Sequence, residues 1–151
     1  METRQQDFTI STCKQRLNVP AIHAFLSQTY WASHLPLYIL EKAIEHSLCY
    51  GVYHQDAQIG FARVITDRAT FAYLADVYIL KPYRGRGLAR WLVKTILAHP
   101  ELQTLRGFWL ATRDAHALYA PFGFEVHPQP GRVMKKTLVT DYRTLPANPV
   151  I

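Results

Sequence analysis

Between Val77 and Leu97 the chain reads VYILKPYRGRGLARWLVKTIL: an apolar β-rich run, a turn in which two arginines alternate with two glycines, and an amphipathic helix. The first turn of a helix has N–H groups without internal partners and a positive dipole end, so a strand that feeds one through a glycine turn builds an anion site at its own C-terminal end. Gly85 and Gly87 lack side chains, which lets the backbone approach a ligand closely and take dihedrals closed to other residues. Arg84 and Arg86 add charge around them. One exposed helix end contributes only about 0.3–1 kcal/mol per charge, so amides and arginines must act together. The plainer alternative is a tight turn with solvated arginines.

Charge is concentrated at this place. From Val77 to Pro100 there are five cations, Lys81, Arg84, Arg86, Arg90 and Lys94, and no acid, so nearly all of the net charge of +6 sits here. Elsewhere the signs alternate, as in Glu41, Lys42 and Glu45, a pattern of solvated faces. A basic surface favours anions, whether nucleic acid, membrane or a small phosphorylated ligand. The turn is not a Walker loop, since no Lys-Ser or Lys-Thr pair follows the glycines, and it lacks the third glycine of the dinucleotide fingerprint.

With 151 residues, 49% of them hydrophobic, residues 1–151 are expected to form one domain with a real core. Cys13 and Cys49 lie far apart and are expected to be reduced thiols. Glu2, Arg4 and Asp7 interrupt any apolar leader, and no run reaches the roughly 18 apolar residues of a spanning helix, so a cytoplasmic protein is expected.

Periodicity orders the elements. Phe8 to Thr12 reads as a strand; Asn18 is an N-cap with Pro20 in the first helical turn, and the helix runs to about Gln28. A second helix starts near Pro36 and places Leu37, Leu40 and Ile44 at helical spacing. Leu48–His54, Gln58–Thr66 and Phe71–Leu80 read as three successive antiparallel strands. Gly87–His99 is a helix whose Leu88, Leu92 and Ile96 share one stripe while Arg90 and Lys94 point away. Phe108–Thr112 reads as a strand, Ala115–Tyr119 as a short helix, and Phe124 with Val133–Val139 as the last strands. The tail from about residue 141, with LPANPVI at its end, is expected to be extended.

The run Arg84-Gly85-Arg86-Gly87-Leu88-Ala89 fits Arg-x-x-Gly-x-Ala, and about thirty residues on stands ALYAPFGFE, with Leu118, Tyr119, Gly123 and Phe124. These two motifs, at this separation, resemble the GCN5-related N-acetyltransferases (GNAT). The resemblance spans nearly the whole chain. It implies an α/β (α+β) fold with a mixed, mostly antiparallel sheet of about six or seven strands and helices on both faces. Two departures stand out: Thr112 occupies a place where many members carry asparagine, and Pro121 and Phe122 replace residues that are commonly polar.

By the same resemblance, acetyl-CoA is the co-substrate and no metal is involved. Its pyrophosphate would lie on the backbone N–H groups of Arg84, Gly85, Arg86, Gly87, Leu88 and Ala89, and its pantetheine arm would pair with the strand at Val77 and Ile79. Tyr119 would protonate the departing sulfur. Asp76 is a candidate base, with His116 a weaker one, and a backbone N–H of the Val77 strand would steady the oxyanion. Attack needs a neutral amine, and for an alkyl amine of pKa about 10.4 that costs roughly 4.6 kcal/mol at pH 7.

The aromatic loop YWASHLP points to Tyr30, Trp31 and His34 as acceptor-binding residues, aromatics suiting an apolar or cationic group. The acceptor is expected to be the primary amine of a small molecule, with a protein or peptide amine as the alternative. Neither nucleic acid nor membrane is expected as a partner, and a homodimer is compatible with the composition. A nucleic-acid-binding module and a non-catalytic acyl-CoA sensor are the rival readings; the cations gather round one turn instead of spreading along a groove, which disfavours the former.

Overall fold

The computed structural model describes residues 1–147, so residues 148–151 of the tail expected to be extended lie outside the described residues. Six strands form one sheet in chain order: β1 (Glu2–Gln5), β2 (Phe8–Ser11), β3 (Leu48–His54), β4 (Ala57–Thr66), β5 (Ala72–Ile79) and β6 (Phe108–Trp109). The first five pair antiparallel, and β6 joins β5 in parallel. This is the mixed sheet expected, reached with a different set of strands. Polar β1 is a strand that periodicity does not predict, whereas Phe124 and Val133–Val139 form no strand. Residues 133–139 (VMKKTLV) are all exposed, and among the described residues no neighbouring edge takes up their backbone. The strand expected over Phe108–Thr112 is reduced to Phe108 and Trp109.

Helices cover both faces. Asn18 caps α1 (Val19–Leu26) by accepting the Ala21 N–H at 3.1 Å, and Pro20 occupies the first turn, where no amide partner is lost. With α2 (Leu37–Glu45) this helix buries Ile22, Leu26, Leu40 and Ile44 against Cys49, Phe61 and Tyr78. The opposite face carries α3 (Leu88–Leu97) and α4 (His116–Tyr119). There Leu88, Leu92, Val93, Ile96 and Tyr119 meet Ile10, Tyr50, Val52, Ala62 and Leu74. Cys49 and Tyr50, like Phe61 and Ala62, face opposite layers because successive strand residues alternate.

Two irregularities break that alternation. Val52 pairs with Gly60 and Tyr53 with Gln58, so Ile59 is an extra residue in β4. Phe61 pairs with Tyr78 and Arg63 with Ala75, so Asp76 and Val77 together oppose Ala62. This second bulge re-aims the end of β5. Leu74 and Ile79, five residues apart, thereby face the same layer, and Asp76 takes a left-handed φ of 55°, which aspartate tolerates better than most residues.

Candidate active site

β6 pairs with β5 only at Ala72–Phe108 and Tyr73–Trp109. Among the described residues no strand lies beside the outer edge of β5 from Leu74 onward, because the chain turns away after Trp109 towards α4. The wedge so formed opens into a cavity of about 830 Å³. Its walls are Tyr73 to Val77 of β5, Leu110 to Ala115, Tyr119, the loop residues Tyr30, Trp31, Ala32 and Leu35, and α2 at Ile39, Leu40 and Ala43. Arg63 and Ile65 of β4 and, from the C-terminal segment, Lys135 and Tyr142 complete it.

At the far end of β5 the chain makes a 3-10 turn over Lys81–Tyr83 and passes through Gly85 and Gly87, both at φ +77°, into α3. Gly87 is the N-cap and supplies no side chain, so the amides of the first turn of α3 have no cap acceptor. A Cβ at either glycine would meet nothing within 4 Å. The left-handed backbone, rather than crowding, therefore demands glycine here, and the space beside each glycine Cα is open.

The arginines divide their tasks. Arg84 reaches back and donates from Nε to the Ile79 carbonyl at 2.8 Å, tying the turn to the end of β5. Arg86 lies 5.8 Å from the Tyr83 ring centroid and, with Arg90, Lys94 and Gly87, borders a second hollow of about 470 Å³. Leu88 is buried and Ala89 half-buried, so these two contribute backbone amides to the surface more than side chains.

Tyr119 ends α4. Thr112 orders the turn before that helix by accepting the Ala115 N–H on Oγ1 at 2.9 Å, so the threonine in the asparagine's place has a local bond within the turn. Gly123, at φ +87°, closes the next turn and returns Phe124 edge-on to Tyr119 at 5.7 Å between centroids. The Tyr119 phenol is buried and sits in the cavity wall, and desolvation pushes its pKa up to about 12. His116 is exposed and lies outside the wall.

Asp76 faces the same cavity from the bulge. Its Oδ2 accepts from Arg63 Nε at 2.8 Å and its Oδ1 from Trp31 Nε1 at 3.1 Å, and Arg63 also donates to Ser47 Oγ at 3.1 Å. The ion pair is enclosed, with 16% of the Arg63 side chain and 9% of the Asp76 side chain exposed. Tyr30 packs edge-on against Trp31 at 5.1 Å, and the Arg113 guanidinium sits 3.9 Å above the Tyr30 ring centroid. Tyr30 and Trp31 are thus brought to the cavity together with Asp76, Val77 and Tyr119. His34 is exposed, at φ 60°, and is not part of the wall.

Sequence reasoning did not single out Arg63, Arg113, Lys135 or Tyr142. Arg63 could have been found, since an arginine inside an apolar strand such as AQIGFARVIT needs a buried acid. The other three reach the cavity from loops, where spacing carries no such signal. Among the described residues no three His, Cys, Asp or Glu side chains form a metal-binding group, and no helix is long and apolar enough to cross a membrane.

Comparison with known proteins accords with this geometry. The model of the acetyltransferase (GNAT) family matches residues 14–124. A Xanthomonas campestris pv. campestris structure, described as a GNAT-family acetyltransferase by assignment, is 46% identical with a TM-score of 0.85, covering 89% of this chain and 96% of that one. A Gibberella zeae protein whose name assigns it provisionally to the acetyltransferases is 36% identical over 110 residues, 60% of this chain; the match spans only 62% of that relative's length. A GNAT acetyltransferase of Elizabethkingia anophelis, solved with acetyl-CoA bound, shares the fold at a TM-score of 0.63 and 12% identity, over 81% of this chain and 78% of that one. The family match over most of the chain and the close Xanthomonas relative lead to one conclusion: this chain belongs to the acetyltransferase (GNAT) family.

Proposed function

We propose that the chain transfers an acetyl group from acetyl-CoA to the primary amine of a small molecule by direct attack, with Tyr119 as the general acid. The observation that carries this reading is the edge of β5 left without a strand partner, which runs from the uncapped amides beyond Gly85 and Gly87 to the cavity that holds Asp76 and Tyr119. One extended ligand can satisfy all of these at once. Its diphosphate suits the amides of α3 and the Arg86 and Arg90 charges, and its amide-bearing arm suits the outer edge of β5 at Val77, the Ile79 carbonyl being taken by Arg84. Its thioester then arrives in the cavity. The acetyl-CoA bound by the Elizabethkingia protein of the same fold supports this choice of donor.

In the reaction the amine nitrogen attacks the thioester carbonyl, an amide bond forms and the carbon–sulfur bond breaks. The proton lost by the nitrogen ends on sulfur. Tyr119 holds its proton throughout the physiological range because of its burial, so it can offer a hydrogen bond to the sulfur as negative charge develops there. The same burial makes it a weak acid. A thiolate in that dry wall is desolvated as well, which raises its own proton affinity and narrows the gap. Asp76, with both oxygens already accepting a hydrogen bond, is suited to orient the acceptor side and to pass on the ammonium proton through a remaining lone pair. A cavity walled by the Tyr30 loop on one side and by Lys135 and Tyr142 on another fits a compact acceptor better than a peptide chain.

The test is twofold. Acetyl-CoA should raise the melting temperature, and thiol release should follow addition of a small amine but not of lysine-bearing peptides. Preferential turnover of the peptides would transfer the proposal to a protein acceptor. No thermal response to acetyl-CoA, with steeply salt-dependent binding to DNA or RNA, would remove it altogether.

A further inference from the structure

We propose that the acceptor amine also carries a carboxylate, as a free amino acid does, and that Arg113 and Lys135 receive it; this rests on the acetyltransferase reading of the same cavity. The cavity wall holds three cations, Arg63, Arg113 and Lys135, and two anions, Asp76 and Asp114. Arg63 and Asp76 cancel one another in their enclosed pair at 2.8 Å. What an acceptor meets is therefore Arg113 and Lys135 against Asp114 alone, a net positive lining.

Arg113 is already placed for this. Its guanidinium lies over Tyr30, 3.9 Å from the centroid, which fixes the group at the cavity mouth. A guanidinium seated over a ring still has its five N–H donors to offer, the fork that matches a carboxylate. Among the described residues no acceptor takes those donors, and neither Arg113 nor Lys135 has an ion-pair partner. Lys135 comes from a different segment, the exposed stretch after the 3-10 turn Pro130–Arg132, and still reaches the same wall.

The chemistry of the step agrees. Two cations beside the acceptor favour its neutral amine, the form that attacks, over its ammonium. An acceptor whose only charge is an ammonium would be repelled by the same pair. A carboxylate on the acceptor offsets that repulsion and holds the amine at a fixed distance from the anchoring fork. The remaining wall, with Tyr30, Trp31, Ile39 and Ile65, suits a hydrocarbon or aromatic side group.

The experiment is thiol release from saturating acetyl-CoA, using matched triplets: phenylalanine, phenylethylamine and phenylalaninamide, then the corresponding leucine and methionine sets, with a dipeptide of each. The free amino acids should exceed their decarboxylated and amidated counterparts by at least about tenfold in kcat/KM. Arg113→Gln and Lys135→Gln, both at exposed positions, should each raise KM for the amino acid by about tenfold, and should not raise KM for the simple amines, whose ammonium the same charges repel. Equal or better use of the amines or amides overturns the inference, as does an equal effect of the variants on all three members of a triplet. Binding of acetyl-CoA with no turnover of any amino acid also overturns it. A protein that does not bind acetyl-CoA at all fails earlier, on the acetyltransferase reading itself.

Discussion

The carboxylate of Asp76 ties two distant parts of the chain together: Trp31, forty-five positions earlier, donates its indole N–H to Oδ1 at 3.1 Å while Arg63 holds Oδ2 at 2.8 Å. The bulge in β5 and the aromatic loop between α1 and α2 therefore share one anchor. Asp76→Asn keeps a residue that tolerates the left-handed φ of 55° but leaves the Arg63 guanidinium enclosed without its counter-charge. Breaking such a pair costs about 3 kcal/mol, which urea unfolding should register. If Asp76 also moves the ammonium proton, kcat should fall by about 10²-fold or more, beyond what the lost stability explains. Trp31→Phe removes one hydrogen bond and should cost about 1 kcal/mol, raising KM for the acceptor and leaving KM for acetyl-CoA unchanged.

Tyr119→Phe separates chemistry from structure. The hydroxyl makes no hydrogen bond to any described residue, while the ring packs on Phe124, so the variant should keep its melting temperature within about a degree or two. Turnover should fall by about 10²- to 10⁴-fold with acetyl-CoA affinity unchanged. The pH profile supplies an independent check. A phenol with its pKa pushed up to about 12 stays protonated, so the rate of the native chain should rise with pH as the amine deprotonates. It should show no descending limb from Tyr119 in the ordinary tyrosine range near pH 10. A limb near that value that vanishes in Tyr119→Phe would contradict the buried, protonated state.

The legibility of this fold followed the strength of local physics. The glycine turn and α3 could be read because Gly85, Gly87 and the Leu88, Leu92, Ile96 stripe obey short-range rules, and each behaves as those rules require. Strand β1 could not: ETRQ has no apolar alternation, and what makes it a strand is backbone pairing with Phe8–Ser11 at the edge of the sheet. Val133–Val139 failed in the opposite sense, since β-prone residues form a strand only where an edge exists to pair with. In the site, Tyr119 and the bulge acid could be named from position along the motifs. Arg113 and Lys135 could not, because they are brought to Tyr30 and the cavity by loop geometry alone.

The turn itself can be tested with a single methyl group. Gly87→Ala places a Cβ in open space, so the cost is conformational: an L-residue at φ +77° loses about 1–2 kcal/mol. Either the helix start keeps its shape and the protein is less stable by that amount, or the backbone relaxes and the first amides of α3 swing from their aim. In the first case the added methyl stands where the diphosphate would approach, and in the second the amides miss it, so acetyl-CoA binding should weaken by about tenfold or more in KM, with a smaller change in kcat once the donor saturates. Isothermal titration with acetyl-CoA checks this directly. Affinity equal to that of the native chain would show that the diphosphate sits elsewhere.

High pH should unfold the protein through buried groups that do not line the cavity. Burial raises the Cys49 thiol from 9.0 to about 11 and the Tyr53 phenol from 10.0 to about 12, and it pushes Tyr50 and Tyr78 up further. In each case the neutral form is the one buried, so the folded state binds its proton more tightly than the unfolded chain does. The stability these groups contribute is complete below about pH 9 and is lost as pH rises from there through about 12. Urea midpoints should therefore be flat from about pH 7 to 9 and fall steeply above. Tyr50 sharpens the test, because its hydroxyl is buried without a partner among the described residues. Tyr50→Phe removes that unsatisfied group and should stabilise the fold by about 1 kcal/mol at neutral pH, while also reducing the alkaline loss. A Tyr50→Phe protein that is less stable than the native chain would mean that the hydroxyl has a hydrogen-bonded partner, such as an internal water, and that the buried layer between the sheet and α3 is wetter than its apolar lining implies.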